Sequence, residues 1–486
     1  MKVKNCLHYV IILACPILTY LFSAPDGLSV IGWHLIGIYI GTIIAIILKP
    51  FPQPVVLLTA VAVSGIIIAN TPAQVMADGS IIHLSQKAVL DGYKSGTTWL
   101  VFAAFTLSTA FVTTGLGKRI AYKLIGSLGH TSLRLGYVNA LLDLIISPAM
   151  PSITARGAGI MMPIMDSIAV TLGSTPKNHP KRIGQYLMVN TYMVVKTTGY
   201  ITFTAMATNA VALEFLKPIL HFDLTWTQWF MAACAPGFAS LIIIPFVTYI
   251  LNKPELKEID NKTIARDGLA AMGAMTKAEK SLLVIFFIAI LSWMFGAALN
   301  LKSSTVAIAI MPLLVMTSVV TWDDLLAKKS AWSTLIWYGG LLGLASVLKQ
   351  AQFFIWLSDV MGQIINVGDG HQTFVTILIL VLSVAVRYFF ASGGAYTASM
   401  FPVFAAVGVA AGANPYDLGL GLLITNCFGG ALTHYGSGPA APIFGQGYND
   451  MKSWWITGGI VAIISLLMII FIGFPWWSLL EGMGVL

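Results

Sequence analysis

A polar interruption within an apolar run decides the fold, and it reads Ser147-Pro148-Ala149-Met150-Pro151-Ser152-Ile153-Thr154-Ala155-Arg156-Gly157-Ala158-Gly159. Two prolines end the incoming helix, because proline lacks a backbone N–H and its ring clashes with the preceding turn. Ser152 and Thr154 are residue types whose side-chain oxygens cap the first N–H groups of a new helix. Unpaired backbone groups are too costly to leave in hydrocarbon, so such a break is tolerated only where it lines a cavity or meets a ligand.

A second interruption follows 240 residues after Ser152 and reads Phe390-Ala391-Ser392-Gly393-Gly394-Ala395-Tyr396-Thr397-Ala398-Ser399-Met400-Phe401-Pro402. Both copies contain Ser-x-x-Ala, continue through small and then apolar residues, and reach a proline, Pro163 or Pro402, about three helical turns later. Interrupted segments at matching places in two halves of a chain point to the binding site of a secondary transporter.

The composition excludes a soluble protein. Hydrophobic residues make up 57% of the chain and charged residues only 9%, which is typical of a polytopic membrane protein. The net charge of +8 would favour a nucleic-acid partner in a soluble protein, but here the basic residues fall mostly in short loops, where they set orientation. We therefore expect no nucleic-acid partner.

Four cysteines, Cys6, Cys15, Cys234 and Cys427, stand singly in apolar segments. None belongs to a CxxC pair, so the spacing argues against disulfides, metal sites and redox chemistry. We expect these side chains to serve packing, and we expect the protein to need no metal and no cofactor.

Eleven apolar segments are long enough to cross a hydrocarbon core about 30 Å thick. They lie at 6-22, 30-48, 53-69, 97-115, 184-210, 226-251, 281-299, 303-320, 332-348, 414-435 and 454-477. The first has the charged start of a signal peptide, but we interpret it as an uncleaved helix, because the orientation of the others requires it. The stretches 137-170 and 372-410 each carry a break at the middle, which predicts two re-entrant helical hairpins.

The basic residues predict the orientation. With the N-terminus in the cytoplasm, 19 of the 27 lysines and arginines are cytoplasmic, and Lys49 is one of these 19. This asymmetry follows the positive-inside rule. It also requires the 137-170 hairpin to enter from the cytoplasm and the 372-410 hairpin to enter from outside. The eight exceptions are Lys87, Lys94, Lys217, Lys302 and Lys349 on the outer side, and Arg156, Lys196 and Arg387 within membrane segments.

Two segments between the crossings have a different character. Residues 117-136 interleave basic and apolar residues at helical spacing, which is typical of an amphipathic helix lying on the inner leaflet. Residues 252-280 form the longest charged connection, with Lys and Glu mixed, and we interpret them as the cytoplasmic linker between two inverted repeats.

Each hairpin is followed by a crossing that becomes polar at its end. The span 184-210 carries Lys196, Thr204 and Asn209, and its counterpart 414-435 continues through a run from Asn426 to Pro439 that is rich in Gly and hydroxyl residues. Glycine pairs and hydroxyls within a crossing predict local unwinding. The four breaks supply helix N-termini and hydroxyls but almost no acidic groups, a set that suits an anion such as a carboxylate.

Each polar residue also has a structural interpretation. Ser and Thr in membrane helices mostly hydrogen-bond their own backbone or pack helices together. Arg387 can reach toward an interface. Asp143 and Asp166 can pair with Arg156 or with backbone groups, and a lone His434 is by default an uncharged imidazole. Lys196 differs, because a mid-span ammonium is expensive and indicates a function.

Three motifs carry a family resemblance: Pro-Ser-x-Thr-Ala-Arg at 151-156, Thr-Ala-x-Ala-x-Asn at 204-209, and Leu432-Thr433-x-Tyr435. With them, nearly the whole chain resembles the divalent anion:sodium symporter family of di- and tricarboxylate carriers. The nearest likeness is to its exchanger branch, the bacterial citrate/succinate and tartrate antiporters and the plastid 2-oxoglutarate/malate translocators.

The resemblance implies an all-α elevator-type carrier that works as a homodimer in the lipid bilayer. Scaffold helices at 1-116 and 281-350 would hold still while two transport-domain halves, at 137-251 and 372-486, move together. A dicarboxylate would bind between the hairpin tips and the two unwound crossings. The substrate-binding residues that it implies are Ser152, Ile153, Thr154, Thr204, Ser392, Gly393, Gly394 and Thr433.

The hairpin tips depart from the family pattern Ser-Asn-Thr. This chain has Ser-Ile-Thr at 152-154 and Ser-Gly-Gly at 392-394, so both asparagines and one threonine are missing. The departures predict transport without sodium. We hypothesise that fixed positive charge, chiefly Lys196, with Arg156 and His434 as further candidates, does the electrostatic work that sodium does elsewhere.

The sequence therefore predicts an exchanger of C4 and C5 dicarboxylates, such as succinate, malate, fumarate and 2-oxoglutarate, in the inner (cytoplasmic) membrane. A sodium-coupled symporter is the alternative within the same class, and an anion channel is the alternative from another class. No catalytic motif such as GxSxG or HExxH occurs, so an enzyme is not expected, and the lack of a Walker A sequence argues against an ATP-driven pump.

Overall fold

The computed structural model of the chain is an assembly of helices, and the structure describes residues 2–76, 79, 81–296, 298–364 and 371–486. One small antiparallel pair, β1 (Gln74–Val75) and β2 (Ile81–Ile82), joins Gln74 to Ile82. The helices of the first half are α1 (Lys2–Leu21), α2 (Val30–Leu48), α3 (Gln53–Asn70), α4 (Asp91–Lys94), α5 (Gly96–Thr114), α6 (Leu116–Leu128), α7 (Ser132–Ile146), α8 (Ile153–Arg156), α9 (Met162–Thr171), α10 (Gly184–Thr198), α11 (Ala207–Leu220) and α12 (Trp226–Leu251).

The second half begins with a helix inside the connection that was interpreted as the linker. Its elements are α13 (Asn261–Met272), α14 (Lys277–Met294), α15 (Ser303–Met316), α16 (Trp322–Ala327), α17 (Lys329–Gln350), α18 (Phe353–Ile364), α19 (Gln372–Val386), α20 (Gly393–Ala410), α21 (Pro415–Phe428), α22 (Ala440–Phe444), α23 (Met451–Met468) and α24 (Phe474–Gly482). Of the cysteines, Cys15, Cys234 and Cys427 are free thiols, and the side chain of Cys6 lies outside the described residues.

Eight helices in the described ranges are long and apolar enough to cross a membrane. Six correspond to predicted crossings, and two are the arms Gln372–Phe389 and Gly393–Ala410 of the second predicted hairpin. Two shorter apolar helices, Leu7–Leu21 and Ser303–Met316, fall on further predicted crossings. The polytopic all-α class is therefore confirmed, while the count of eleven crossings stays a prediction.

The predicted crossing 184-210 is not one continuous helix. Helix α10 ends at Thr198, an irregular segment follows, and a new helix α11 runs from Ala207 to Leu220, beyond the predicted end. The counterpart behaves likewise, because α21 ends at Phe428 and gives way to a short turn, Gly429–Ala431. Both helices stop where the glycines and hydroxyls lie, which is the unwinding that the sequence predicts.

The amphipathic segment and the linker pack on each other. Helix α6 lies against α13, a helix that the charged composition of 252-280 did not predict. A buried ion pair fixes the neighbouring turn, where Arg119 Nε lies 2.6 Å from Glu279 Oε1. Glu279 also accepts from the Thr276 N–H at 2.8 Å, closing a capping box at the start of α14. The segment 252-280 is therefore ordered, and its role as a linker between two repeats stays a prediction.

The second hairpin packs between helices from both kinds of predicted domain. Its arm α20 lies against α11, α18 and α2, and the Tyr39 hydroxyl of α2 donates to the Ala398 carbonyl. A buried tyrosine needs such an acceptor, since an unpaired hydroxyl in an apolar environment is costly. This contact brings the hairpin tip close to the loop between α2 and α3.

Candidate functional site

The first helix break forms a turn with an extended centre. A 3₁₀ turn, Ser147–Ala149, follows α7, and Ser152 then caps the next helix by accepting from the Ala155 N–H at 3.1 Å. The Pro151 carbonyl accepts from the N–H of Ala207, the first residue of α11, at 2.9 Å. The predicted hairpin tip therefore meets the unwound part of the crossing beside it.

An ion pair ties the two arms of the first hairpin. Arg156 and Asp143 are both fully buried, with Arg156 Nε 2.9 Å from Asp143 Oδ1. Arg156 also donates to the Met150 carbonyl at 2.5 Å and to the Ala205 carbonyl, while Asp143 accepts from the Thr198 hydroxyl. Asp143 therefore neutralises Arg156, and the pair holds the break together.

The second helix break repeats this capping geometry. A short turn, Arg387–Phe389, ends α19, and Ser392 caps α20 by accepting from the Ala395 N–H at 3.3 Å. The Tyr396 hydroxyl donates to the Ser383 carbonyl at 2.7 Å and so ties the two arms. The tie that an ion pair makes in the first hairpin is here a neutral hydrogen bond.

Arg387 lies at the tip of the second hairpin and is only 2% exposed. Its Nη1 donates to the Ser392 carbonyl at 3.2 Å and its Nη2 to the Gly436 carbonyl at 2.8 Å. The guanidinium lies 4.8 Å from the centre of the Tyr396 ring, a cation–π arrangement. Its Nε is buried without a hydrogen-bond partner, and no carboxylate of the described residues lies within 4 Å.

Lys196 is 1% exposed and also lacks a carboxylate within 4 Å among the described residues. Its ammonium lies beside the turn that follows α21, where a Cβ placed on Gly430 would be 3.0 Å from Nζ. The Tyr192 hydroxyl, one turn earlier on α10, contacts the Gly430 carbonyl and Ser437. Lys196 and Arg387 therefore both approach the segment Gly430–Gly436.

Two asparagines join the breaks to each other. Asn209 Nδ2 donates to the Gly199 carbonyl at 2.8 Å, which holds the unwound part of the first crossing. Asn426 Nδ2 donates to the Thr208 carbonyl at 3.2 Å, and its Oδ1 accepts from the Thr397 hydroxyl at 2.8 Å. The two unwound crossings and the second hairpin are thus connected by side-chain amides.

A cavity of about 590 Å³ opens beside the second hairpin tip. Its lining combines the tip, the turn at Gly438 and the loop between α2 and α3, in a set consisting of Ile46, Lys49, Pro50, Phe51, Pro52, Gln53, Ala391, Ser392, Gly393 and Gly438. Gly438 also touches the first hairpin, because a Cβ there would overlap the Thr154 hydroxyl. The first tip therefore contacts one residue of the cavity wall without lining the cavity itself.

Two of the eight predicted substrate-binding residues, Ser392 and Gly393, line this cavity. Thr154 contacts Gly438, which is part of the cavity wall. Thr433 lies in the Gly430–Gly436 segment, with its hydroxyl buried and unpaired. The remaining predicted residues are Ser152 and Ile153 at the first tip, Gly394 beside Trp337 and Gln53, and Thr204, whose hydroxyl accepts from the Trp226 indole at 3.2 Å.

His434 does not join the charged residues. Its Nδ1 accepts from the Trp455 indole N–H at 3.0 Å, and its ring lies among Phe444, Tyr435 and Trp455. A nitrogen that accepts carries no proton, so this geometry favours the neutral imidazole of the structural interpretation. The positive charge proposed for His434 has no support in this contact.

Sequence reasoning undervalued Arg387 and did not identify Tyr396 or Lys49 as part of the site. The signal for Arg387 was present, because an arginine inside an apolar hairpin is expensive and needs a partner. The sequence contained no comparable signal for Lys49, since a lysine in a short loop is ordinary. Among the described residues, no three His, Cys, Asp or Glu side chains cluster as metal ligands would.

Comparisons with known proteins extend over the whole chain. A sequence profile described as the sodium:sulfate symporter transmembrane region matches residues 3–483. Inner membrane protein YbhI of Escherichia coli (strain K12) is 48% identical, with 100% of both chains covered. The putative malate transporter YflS of Bacillus subtilis is 37% identical over 97% of this chain and 95% of its own length. The citrate/succinate antiporter of Escherichia coli (strain K12) is 33% identical over 94% of each chain.

A solved transporter structure shares the fold. The YdaH transporter of Alcanivorax borkumensis superposes with a TM-score of 0.53, covering 89% of this chain and 97% of that one. The two sequences are 12% identical, so the likeness concerns the architecture alone.

Proposed function

The chain belongs to the sodium:sulfate symporter family, and from that premise we propose that it exchanges C4 and C5 dicarboxylates across the cytoplasmic membrane without sodium. Membership confirms the resemblance seen in the sequence motifs and makes the protein a membrane-spanning transporter rather than an enzyme. The printed names of two relatives, a putative malate transporter and a citrate/succinate antiporter, support the substrate class. Succinate, malate, fumarate and 2-oxoglutarate are the proposed substrates.

The observation that carries the proposal is the balance of buried charge. Six charged side chains are buried in the described part of the chain: Arg119, Asp143, Arg156, Lys196, Glu279 and Arg387. Four of them form the two ion pairs already described, Arg119 with Glu279 and Arg156 with Asp143. The remaining two are cations, and both approach the Gly430–Gly436 segment. Their charge is equal and opposite to that of a dicarboxylate dianion.

This balance gives a physical reason for exchange. A buried charge without a partner is costly, because the protein interior does not replace its hydration. A bound dianion would neutralise Lys196 and Arg387, whereas an empty site would leave both cations uncompensated. Crossing the membrane without substrate would therefore be slow, and each inward passage would require an outward one.

The geometry also offers a binding mode for the two ends of one molecule. Ser392 begins an 18-residue helix whose N-terminus faces the cavity, and Arg387 lies directly behind it. Helix N-termini and guanidinium groups both favour carboxylates. We place one carboxylate there and the other between Lys196, which lies beside Gly430, and Thr154 of the first tip, which lies beside Gly438. The N-terminus in the cytoplasm, the homodimer and the elevator motion belong to this proposal.

The test is uptake of labelled succinate into proteoliposomes holding the purified protein, with and without internal dicarboxylate and with and without an inward sodium gradient. We expect uptake only when dicarboxylate is inside, with no response to sodium. Exchange of one dianion for another moves no net charge, so an imposed membrane potential should leave the rate unchanged. Uptake into empty vesicles driven by sodium would overturn the proposal.

Lys196 provides a second test. Replacing it with methionine keeps the apolar stem but removes one of the two unpaired charges, so kcat/KM for succinate exchange should fall about 100-fold, the effect of a lost buried charge contact worth roughly 3 kcal/mol. The matched variant Lys196→Arg keeps the charge and should retain more exchange. If Lys196→Met exchanges like the wild type and still needs internal substrate, the charge-balance argument is wrong.

A sodium-coupled symporter remains the second candidate, and a specific observation favours it. The Asn209 Oδ1 and Thr202 Oγ1 atoms are buried and have no hydrogen-bond partner within the described part of the chain. Hard cations take oxygen ligands of this kind. The same proteoliposomes distinguish the two functions, because a symporter would concentrate succinate in vesicles that contain none at the start.

A further inference from the structure

The cavity at the second hairpin tip has a wall that the hairpins do not supply. Lys49 and Gln53, at the two ends of the loop between α2 and α3, face Ser392 and Gly393 across it. Gln53 also approaches Gly394, since its Nε2 would lie 3.8 Å from a Cβ on that glycine. The loop belongs to the segment predicted as scaffold, and the tip belongs to the predicted transport domain.

The backbone at Lys49 makes the choice of a lysine unusual. The residue closes α2 in the left-handed conformation, with φ 54° and ψ 47°, and its N–H donates to the Ala45 carbonyl. Glycine or asparagine is the usual residue at such a helix end, because a longer side chain is strained there. The cap alone therefore does not explain a lysine. Pro50 and Pro52 follow and restrict the chain, which keeps Lys49 beside the cavity.

The charge of Lys49 is available for a ligand. The side chain is exposed, and no carboxylate of the described residues lies within 4 Å of its nitrogen. At the same tip, Arg387 is buried, its Nη1 donates to the Ser392 carbonyl, and its Nε has no hydrogen-bond partner among the described residues. The Ser392–Gly393 tip is therefore near two cations, Arg387 of the hairpin and Lys49 of the loop.

We propose that Lys49 binds substrate only while the binding site faces the cytoplasm. In that orientation, the α2–α3 loop supplies an exposed cation that attracts a dicarboxylate from the cytoplasm to the second hairpin tip. The inference rests on the proposed dicarboxylate transport and adds that substrate binding differs between the two faces of the membrane. Arg387 and Ser392 move with the substrate in an elevator, whereas Lys49 stays behind. Lys49 thus strengthens binding at the cytoplasmic face and contributes nothing at the outer face.

The experiment compares substrate affinity at the two faces. Right-side-out and inside-out membrane vesicles are prepared from cells that make the full chain. Malate added to the medium reaches the outer face of the protein in the first kind of vesicle and the cytoplasmic face in the second, and its KM is measured for each. Lys49→Asn removes the charge and keeps a residue that tolerates the left-handed backbone, so folding is preserved. Lys49→Arg retains the charge. Lys452→Asn is the matched control, since Lys452 is another exposed lysine of a predicted cytoplasmic segment and lies outside the cavity lining.

We expect Lys49→Asn to raise the KM at the cytoplasmic face about three- to tenfold, which is the effect of an exposed charge near a ligand. The KM at the outer face should stay within about twofold of the wild type, and Lys49→Arg and Lys452→Asn should resemble the wild type at both faces. High salt should reduce the difference between Lys49→Asn and the wild type, because it screens an exposed charge.

Three results would overturn the inference: an unchanged KM in Lys49→Asn, an equal change at both faces, or a change at the outer face alone. In each case a wild type that exchanges malate would leave the proposed function standing. A wild type that exchanges no dicarboxylate from either face would instead refute the proposed function, and the inference with it.

Discussion

The two helical hairpins share a plan and differ in how they treat charge. In each, a serine caps the outgoing helix, and a residue nine positions before it contacts a residue four positions after it. In the first hairpin that contact is the ion pair between Asp143 and Arg156, both fully buried. In the second it is a neutral hydrogen bond from Tyr396 to the Ser383 carbonyl.

The difference concerns the partners that each hairpin gives its arginine. In the first hairpin, Arg156 forms an ion pair with Asp143 of the same hairpin. Its charge is therefore compensated, and the pair serves to position the helix break. In the second hairpin, Arg387 at the tip donates to two backbone carbonyls and lies against a tyrosine ring. Because no carboxylate of the described ranges lies within 4 Å of Arg387, its guanidinium remains able to bind the carboxylate of a ligand.

Breaking the ion pair should give the largest effect on stability. Asp143→Asn leaves Arg156 buried and uncompensated, which should cost about 3–5 kcal/mol of unfolding free energy. The matched change in the second hairpin, Tyr396→Phe, removes one neutral hydrogen bond and should cost about 1 kcal/mol. Thermal unfolding of both variants in detergent, followed by tryptophan fluorescence, measures the difference. Equal losses would mean that the two ties are equivalent and that the comparison fails.

Removing the free arginine should affect transport more than stability. Arg387→Gln keeps a hydrogen-bonding amide at the tip but removes a charge proposed to contact the substrate, so kcat/KM for succinate exchange should fall about 30- to 100-fold, or roughly 2–3 kcal/mol. The exchange assay in proteoliposomes and the melting temperature of the same preparation separate the two effects. A large loss of melting temperature with normal exchange would assign Arg387 the structural role that Arg156 has.

We expect the smallest loss of stability from replacing the capping serines, Ser152 and Ser392, which make the same hydrogen bond in the two hairpins. Ser152→Ala and Ser392→Ala each remove one capping hydrogen bond and should cost about 1 kcal/mol of stability, whereas the matched glycine variants should cost only a few tenths. Only Ser392→Ala should also raise the KM for succinate, because Ser392 lines the cavity. Equal KM values for the two alanine variants would contradict the binding role given to the second tip.

Much of the site was predictable from local chemistry. The breaks at Ser152 and Ser392 follow from proline, glycine and capping residues within a few positions of each other. The unwinding after Lys196 follows from the threonines and glycine that succeed it, and the structure confirms it. The pairing of Asp143 with Arg156, weighed as a structural interpretation, is also present, whereas Asp166 instead accepts from the Tyr448 hydroxyl.

Other features depend on residues that are far apart in the chain. The helices α11, α13 and α18 were not predicted, because their lengths and faces are set by what they pack against. The sequence does not show whether Arg387 has a carboxylate partner, because that depends on which carboxylates the fold brings within reach. His434 was proposed as a charge, and the aromatic rings around it come from segments whose approach the sequence does not state.

The sequence by itself determined the membrane class, the paired breaks, the family and the expensive charges inside the bilayer, because each depends on composition or on neighbours within one or two helical turns. Only the tertiary structure decided how those charges are distributed. It paired Arg156 with Asp143, placed Lys196 and Arg387 beyond 4 Å from every carboxylate of the described residues, and brought Lys49 to the same cavity as Ser392. Electrostatic energy depends on distances in space, and folding alone sets the distance between residues hundreds of positions apart.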